Sequence, residues 1–219
     1  MKRSEGKCMV DNSNKKFWEK FAKLYTIFQE RGNKELYNTV CQKIQPLFNE
    51  NQKVLELGCG TGQLTVFLAE YSEHWTATDF SENMIREAKR RFNMNKVLFE
   101  VQDATQLGYD NHMFDVVLIA NALHIMPEPE KALQEIKRVL KPEGILIAPT
   151  FVYEGGLNKF RLGLMEKIGF KTFYQWTVKE YETFLKSHGF SIMSSEILSG
   201  KPLPECILTC KIHSENITR

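Results

Sequence analysis

Hydrophobic positions along the chain change period at about residue 50. Before it, Phe17, Trp18, Phe21, Leu24, Tyr25 and Phe28 recur at helical spacing, opposite Lys16, Glu19, Lys20, Lys23 and Glu30. The spacing predicts an amphipathic helix with an aromatic stripe. Leu36, Tyr37, Val40, Ile44 and Leu47 mark a second helix, stopped near Pro46. Beyond it, short apolar runs at 54–57, 75–79, 97–101, 114–120 and 145–150 read as strands. Helical stripes separate them: Leu64, Phe67, Leu68 and Tyr71; then Met84, Ile85, Ala88 and Phe92 behind a capping Ser81. Ala132, Leu133, Ile136, Val139 and Leu140 form the stripe after the fourth strand, closed by Lys141-Pro142-Glu143-Gly144.

The order changes near the end. Thr177 and Glu180 form a capping box that opens a helix through Tyr181, Phe184 and Leu185 to Gly189. Runs at 190–198 and 206–212 follow with no helix between them, and so short a connection joins strands antiparallel. The pattern predicts an α/β fold: a Rossmann-like, seven-stranded, mostly parallel sheet with an antiparallel last strand. Residues 1–48 read as an N-terminal helical cap, 49–213 as the main domain and 214–219 as a tail. The stretch 151–176, rich in Phe, Tyr and Gly, is long for a connection and is expected to form a lid over a substrate.

One stretch organises the rest. Val54-Leu55-Glu56-Leu57 runs into Gly58-Cys59-Gly60-Thr61-Gly62, and a helical stripe begins just beyond. A strand ending in glycines before a helix brings main chain close to a ligand, under the free N–H groups of the helix start. The third glycine falls one place early for the dinucleotide fingerprint, and no Gly-Lys-Ser/Thr follows for a phosphate loop.

Composition narrows the classes. With 219 residues, 42% hydrophobic, the chain is long enough for one domain with a substantial core. A net charge of +2 offers no broad footprint for nucleic acid. Cys8, Cys41, Cys59, Cys206 and Cys210 are odd in number and lack a zinc spacing, so reduced thiols in a cytoplasmic setting are expected and no metal site. No apolar run reaches the length of a membrane span. The aromatic stripe at 13–30 leaves two roles open: packing over the active site, or contact with a membrane surface.

The loop, with Asp79 about twenty residues on, resembles the first motif of class I S-adenosylmethionine-dependent methyltransferases. Leu55-Glu56-Leu57-Gly58-Cys59-Gly60-Thr61-Gly62, the Asp79-Phe80-Ser81 turn with Met84, and Arg138-Val139-Leu140-Lys141-Pro142-Glu143-Gly144 are similar to the ubiquinone/menaquinone-biosynthesis members. The resemblance implies S-adenosyl-L-methionine as cofactor, S-adenosyl-L-homocysteine as product, and a small-molecule acceptor, with the enzyme a monomer or homodimer. It implies that Gly58, Cys59, Gly60 and Gly62 pass main chain under the methionine portion and ribose. Glu56 would support the loop or cap nearby N–H groups. Asp79 would accept from both ribose hydroxyls, since an ionised carboxylate serves two donors. Phe80 and Met84 would flank the adenine, although Met84 also reads as core. Asp103 would accept the adenine amine and the Ala104 N–H would donate to a ring nitrogen. Asn121 would approach the methionine end, and Tyr25 would cover the cofactor. His124 is the candidate general base, its alternative being a structural turn residue. A lipid or membrane-held quinone as acceptor, and a non-catalytic binding module, are the competing expectations.

Overall fold

The computed structural model describes residues 19, 34–92, 96–153, 171–200 and 203–213. Helix α1 (Lys34–Ile44) ends in a 3-10 turn, Gln45–Leu47, carrying Pro46. The sheet then begins: β1 (Lys53–Leu57), β2 (His74–Asp79), β3 (Val97–Val101), β4 (Phe114–Ile119) and β5 (Leu140–Phe151). Between them lie α2 (Thr65–Leu68), α3 (Glu82–Arg91) and α4 (Pro129–Val139). Helix α5 (Val178–Ser187) precedes β6 (Phe190–Leu198) and β7 (Glu205–Ile212).

The seven strands pair in the order β3-β2-β1-β4-β5-β7-β6. Pairings from β3 to β5 are parallel, whereas β7 runs antiparallel to both β5 and β6. The expected architecture is therefore present. Its core lies on the two faces of the sheet. One packs Leu133, Ile136, Val139, Tyr181 and Leu185 against β4, β5 and β7; the other packs Val40, Ile44, Leu68, Trp75, Ile85 and Ala88. Strands β1 and β4 present apolar residues to both faces, as parallel strands covered on both sides require, with Glu56 the buried exception in β1.

Two local expectations are corrected. Helix α2 is a single turn followed by a 3-10 turn, Ala69–Tyr71, and two residues of its expected apolar stripe, Phe67 and Tyr71, are exposed. Leu64 and Leu68 alone reach the core, because the short segment cannot keep a stripe aligned over two turns. Strand β5 starts at Leu140 rather than 145. Leu140 caps α4 and pairs with Phe114, and the register slips before Val116 meets Ile145. Lys141-Pro142-Glu143-Gly144 is thus a bulge-like excursion at the head of a strand, and the helix stops one residue earlier at Val139.

The caps match the sequence. Ser81 Oγ accepts from the Met84 N–H at 3.2 Å, and Thr177 and Glu180 make both bonds of a capping box. Of the aromatic helix expected at 13–30, Glu19 lies within the described residues and is helical; the stripe itself, including Tyr25, lies outside them, as do residues 154–170 of the expected lid.

Candidate functional site

In a parallel sheet the carboxyl ends of the strands share one edge, and a ligand sits outside that edge where strand order reverses. Here the reversal lies between β1 and β4, with Glu56, Gly58, Asp79, Asp103 and Asn121 placed along it. A cavity occupies this edge. Its described lining includes Glu56, Gly58, Cys59, Gly60, Asp79, Phe80, Met84, Asp103, Ala104 and Asn121, which are ten of the twelve residues expected to touch a cofactor.

Main-chain geometry brings the loop there. Gly58 has φ +68, and a Cβ on it would stand 3.0 Å from the Ala122 Cβ of the neighbouring turn. Both facts exclude a side chain. The loop is tied to the next strand by the Cys59 N–H, which donates to Thr78 O at 2.8 Å. The Asp79 carboxylate completes the tie: Oδ2 accepts from the Gly60 N–H at 3.0 Å and Oδ1 from the Ser81 N–H at 2.9 Å. Burial raises the Asp79 acid to about 6, although these N–H bonds favour its charged form. Glu19 also pushes it upward, and its own Oε1 accepts from the Glu82 N–H at the start of α3.

Glu56 is buried beneath the loop. Its Oε2 accepts from Thr65 Oγ1 at 2.6 Å and Trp75 Nε1 at 2.8 Å, while burial raises the acid to about 7. Asp103 sits just past β3, exposed, with Oδ1 accepting from the Thr105 N–H and hydroxyl. The Gln102 N–H donates to Asp79 O at 3.1 Å, so the ends of β2 and β3 hold the two acids on one side of the cleft. Cys59 is buried and its thiol is pushed well above the usual range, which leaves no reactive thiolate.

Two expected residues among those described are not brought to the cavity. Gly62 (φ +83) lies behind the loop, where a Cβ would meet the Phe92 ring at 3.0 Å; it lets α3 pack against the turn. His124 is 5% exposed and outside the lining. Its Nδ1 bonds Thr150 Oγ1 at 2.9 Å, its carbonyl accepts from the Phe173 and Tyr174 N–H groups, and burial lowers the imidazole to about 4. That is the structural alternative for this residue. Tyr25 lies outside the described residues.

The cavity also holds residues that pattern reading passed over. Tyr37 comes from α1, a helix of the expected cap for which no site residue was named; Gln63, Gln102 and Thr105 line it, and Ile125, Met126, Pro127 and Glu128 form a wall after β4. Their positions just beyond strand ends were the available signal. Among the described lining residues are four carboxylates (Glu56, Asp79, Asp103 and Glu128) and no lysine, arginine or histidine. No cluster able to hold a metal occurs among the described residues.

Comparison with known proteins follows this geometry. Residues 55–148 match the model of the methyltransferase domain family. That stretch, from β1 to β5, is therefore similar to a methyltransferase domain. It is 37% identical over 141 residues to a demethylmenaquinone methyltransferase of Leptospira interrogans, a match covering 59% of this chain and 57% of that protein. The match therefore spans little more than half of that relative's length. Among solved structures, a chain of the complex between the Haloferax volcanii Trm112 methyltransferase activator and a methyltransferase superposes with a TM-score of 0.76 at 18% identity, covering 90% of this chain and 98% of that one. The [4+2]-cyclase SpnF superposes with a TM-score of 0.68 at 22% identity, covering 83% and 82%. Both show the class I methyltransferase fold, and the second is a cyclase.

Proposed function

We propose that this protein is an S-adenosylmethionine-dependent methyltransferase: it binds S-adenosyl-L-methionine in the cavity and moves its methyl group to a small-molecule acceptor by in-line displacement, releasing S-adenosyl-L-homocysteine. The observation that carries the reading is the charge of the cavity: four carboxylates and no cation among its described lining residues, set against glycine main chain. Such a wall suits a ligand bearing a sulfonium and an ammonium and repels phosphate-bearing nucleotides. The residues fit the cofactor. Asp79 Oδ1 and Oδ2 each accept one N–H, which leaves acceptor capacity for hydroxyls. Asp103 and Ala104 stand at the next strand end for a purine, with Phe80 and Met84 as apolar neighbours.

When bound, the cofactor supplies an activated methyl carbon on a sulfonium sulfur. The chain's own contribution is to orient and to exclude water, which supplies several kcal/mol in an aligned displacement. A base is needed only for an acceptor that must lose its proton, and the buried, neutral His124 is not placed to serve. The wall of Ile125, Met126 and Pro127 favours an apolar acceptor face.

Equilibrium titration with S-adenosylmethionine and with S-adenosylhomocysteine tests the reading. Binding of both is expected; binding of neither at sub-millimolar concentration, with the fold intact, would end it. The Leptospira relative, named for demethylmenaquinone, favours a second acceptor class, a quinone held at a membrane. Liposome co-sedimentation that Phe21→Glu abolishes supports that class, and no sedimentation of the wild type removes it.

A further inference from the structure

Glu205 lies outside the cavity lining and was not among the residues the loop and its partners pointed to. Because β7 runs antiparallel, its first residue stands at the carboxyl edge of the parallel strands, where Glu205 pairs with Phe151 at the end of β5. Glu205 is 1% exposed. Its Oε1 accepts from Asn121 Nδ2 at 2.9 Å, and its Oε2 has no hydrogen-bond partner among the described residues. A buried acid with an open oxygen carries an energetic cost that local packing does not offset.

Asn121, its partner, is strained. It has φ +52 at the end of β4, a conformation that asparagine tolerates and most residues avoid. Its amide is held at both ends, since Oδ1 accepts from the Phe151 N–H at 3.1 Å while Nδ2 reaches Glu205. The side chain is therefore committed away from the cavity that Asn121 lines. Strained residues over-determined by their surroundings cluster at ligand clamps.

Building on the cofactor reading above, we propose that Glu205, acting through Asn121, is a positioning residue that sets the charge preference of the methyl-donor site. Its carboxylate stands one side chain behind the wall, where low dielectric carries its field to a sulfonium. That field favours S-adenosylmethionine over the thioether product, which has one positive charge fewer, and so assists product exchange. Burial raises the Glu205 acid to about 7, so the preference strengthens as pH rises through neutrality. Other groups around it act differently. Cys41 on α1 is pushed up to about 12, chiefly by burial and then by the Glu56 and Glu205 charges, hence neutral; the β6 partner Leu198 carries no charge; Tyr153, two residues past Phe151, is raised by burial. Glu56 and Asp79 titrate near the same pH, so the comparison of variants, not the wild-type profile alone, isolates Glu205.

The test is titration of wild type, Glu205→Gln and Glu205→Asp with each ligand across about pH 6 to about pH 8. Glu205→Gln is expected to lower the ratio of sulfonium to thioether affinity at the upper pH on the order of tenfold, leaving thioether binding nearly unchanged. Glu205→Asp, which keeps the charge, is expected to retain most of the ratio. A merely structural Glu205 would weaken both ligands together, and that result, or a ratio that keeps its pH slope in Glu205→Gln, overturns the inference. Wild type that binds neither ligand overturns the cofactor reading and this inference with it; binding of both with an unmoved ratio overturns this inference alone.

Discussion

Asp79 is buried against the loop it helps to hold, and this burial makes it both a ligand acceptor and a latch for Gly60 and Ser81. Replacing it by alanine removes acceptor atoms toward a ribose, so Asp79→Ala is expected to weaken cofactor binding by about 1–3 kcal/mol, read by calorimetric titration. Gly58→Ala acts through the backbone instead. A Cβ at φ +68 costs about 1–2 kcal/mol and meets Ala122, so a lower melting temperature is expected together with weaker cofactor binding. His124 illustrates the opposite lesson. A histidine three residues past Asn121 looks like a base in sequence, yet its ring bonds Thr150 within the core. Residue type and spacing cannot tell an inward from an outward side chain in a turn, because one peptide's rotation decides it. Glu205 was legible in principle: it is a charged residue opening the otherwise apolar run Cys206-Ile207-Leu208.

Elements were more readable than single side chains. Capping at Ser81 and Thr177 follows from local chemistry, since a side-chain oxygen two or three residues before the N–H it serves needs no distant partner. Thr177→Ala is expected to cost about 1 kcal/mol of stability and to leave cofactor affinity unchanged, measured by denaturant unfolding beside a binding titration. Where pattern misled, the element was short or strained. Helix α2 is one turn long, and the exposed Phe67 within it and Tyr71 in the 3-10 turn after it show that four residues cannot hold an apolar face in register with the sheet. The start of β5 at Leu140 was hidden because Pro142 and Gly144 read as a stop; the pairing of Leu140 with Phe114 is made before the excursion, by a partner far along the chain.

Across the whole molecule, three acids at the cleft edge share one electrostatic character. Glu56 and Glu205 are raised to about 7 and Asp79 to about 6, chiefly by burial. Each binds its proton more tightly folded than unfolded, so the stability it contributes is complete below its unfolded value and is lost as pH rises through its folded one. His124 works in the other direction. Lowered to about 4, it contributes stability above its unfolded value that is lost as pH falls toward 4. The ligand-free protein is thus expected to be most stable on the acid side of neutrality and to lose stability toward pH 8, by at most on the order of 3 kcal/mol for Glu205 alone. Melting temperatures across that range check this, and a cationic ligand should raise the melting temperature more at pH 8 than at pH 6, since it partners the ionised acids.

The strand–helix alternation, the glycine turn, the caps and the edge on which the acids end are properties of the sequence by itself, because each follows from hydrophobic period, backbone freedom or parallel connection over short chain distances. The tertiary structure alone decided which of those residues face the cleft. Gly62 and His124 turn into the packing, Tyr37 reaches the cavity from a helix outside the motif, and antiparallel β7 carries Glu205 to Asn121 across 84 residues of sequence. Such contacts depend on register and on the direction of a distant strand, which no local pattern encodes.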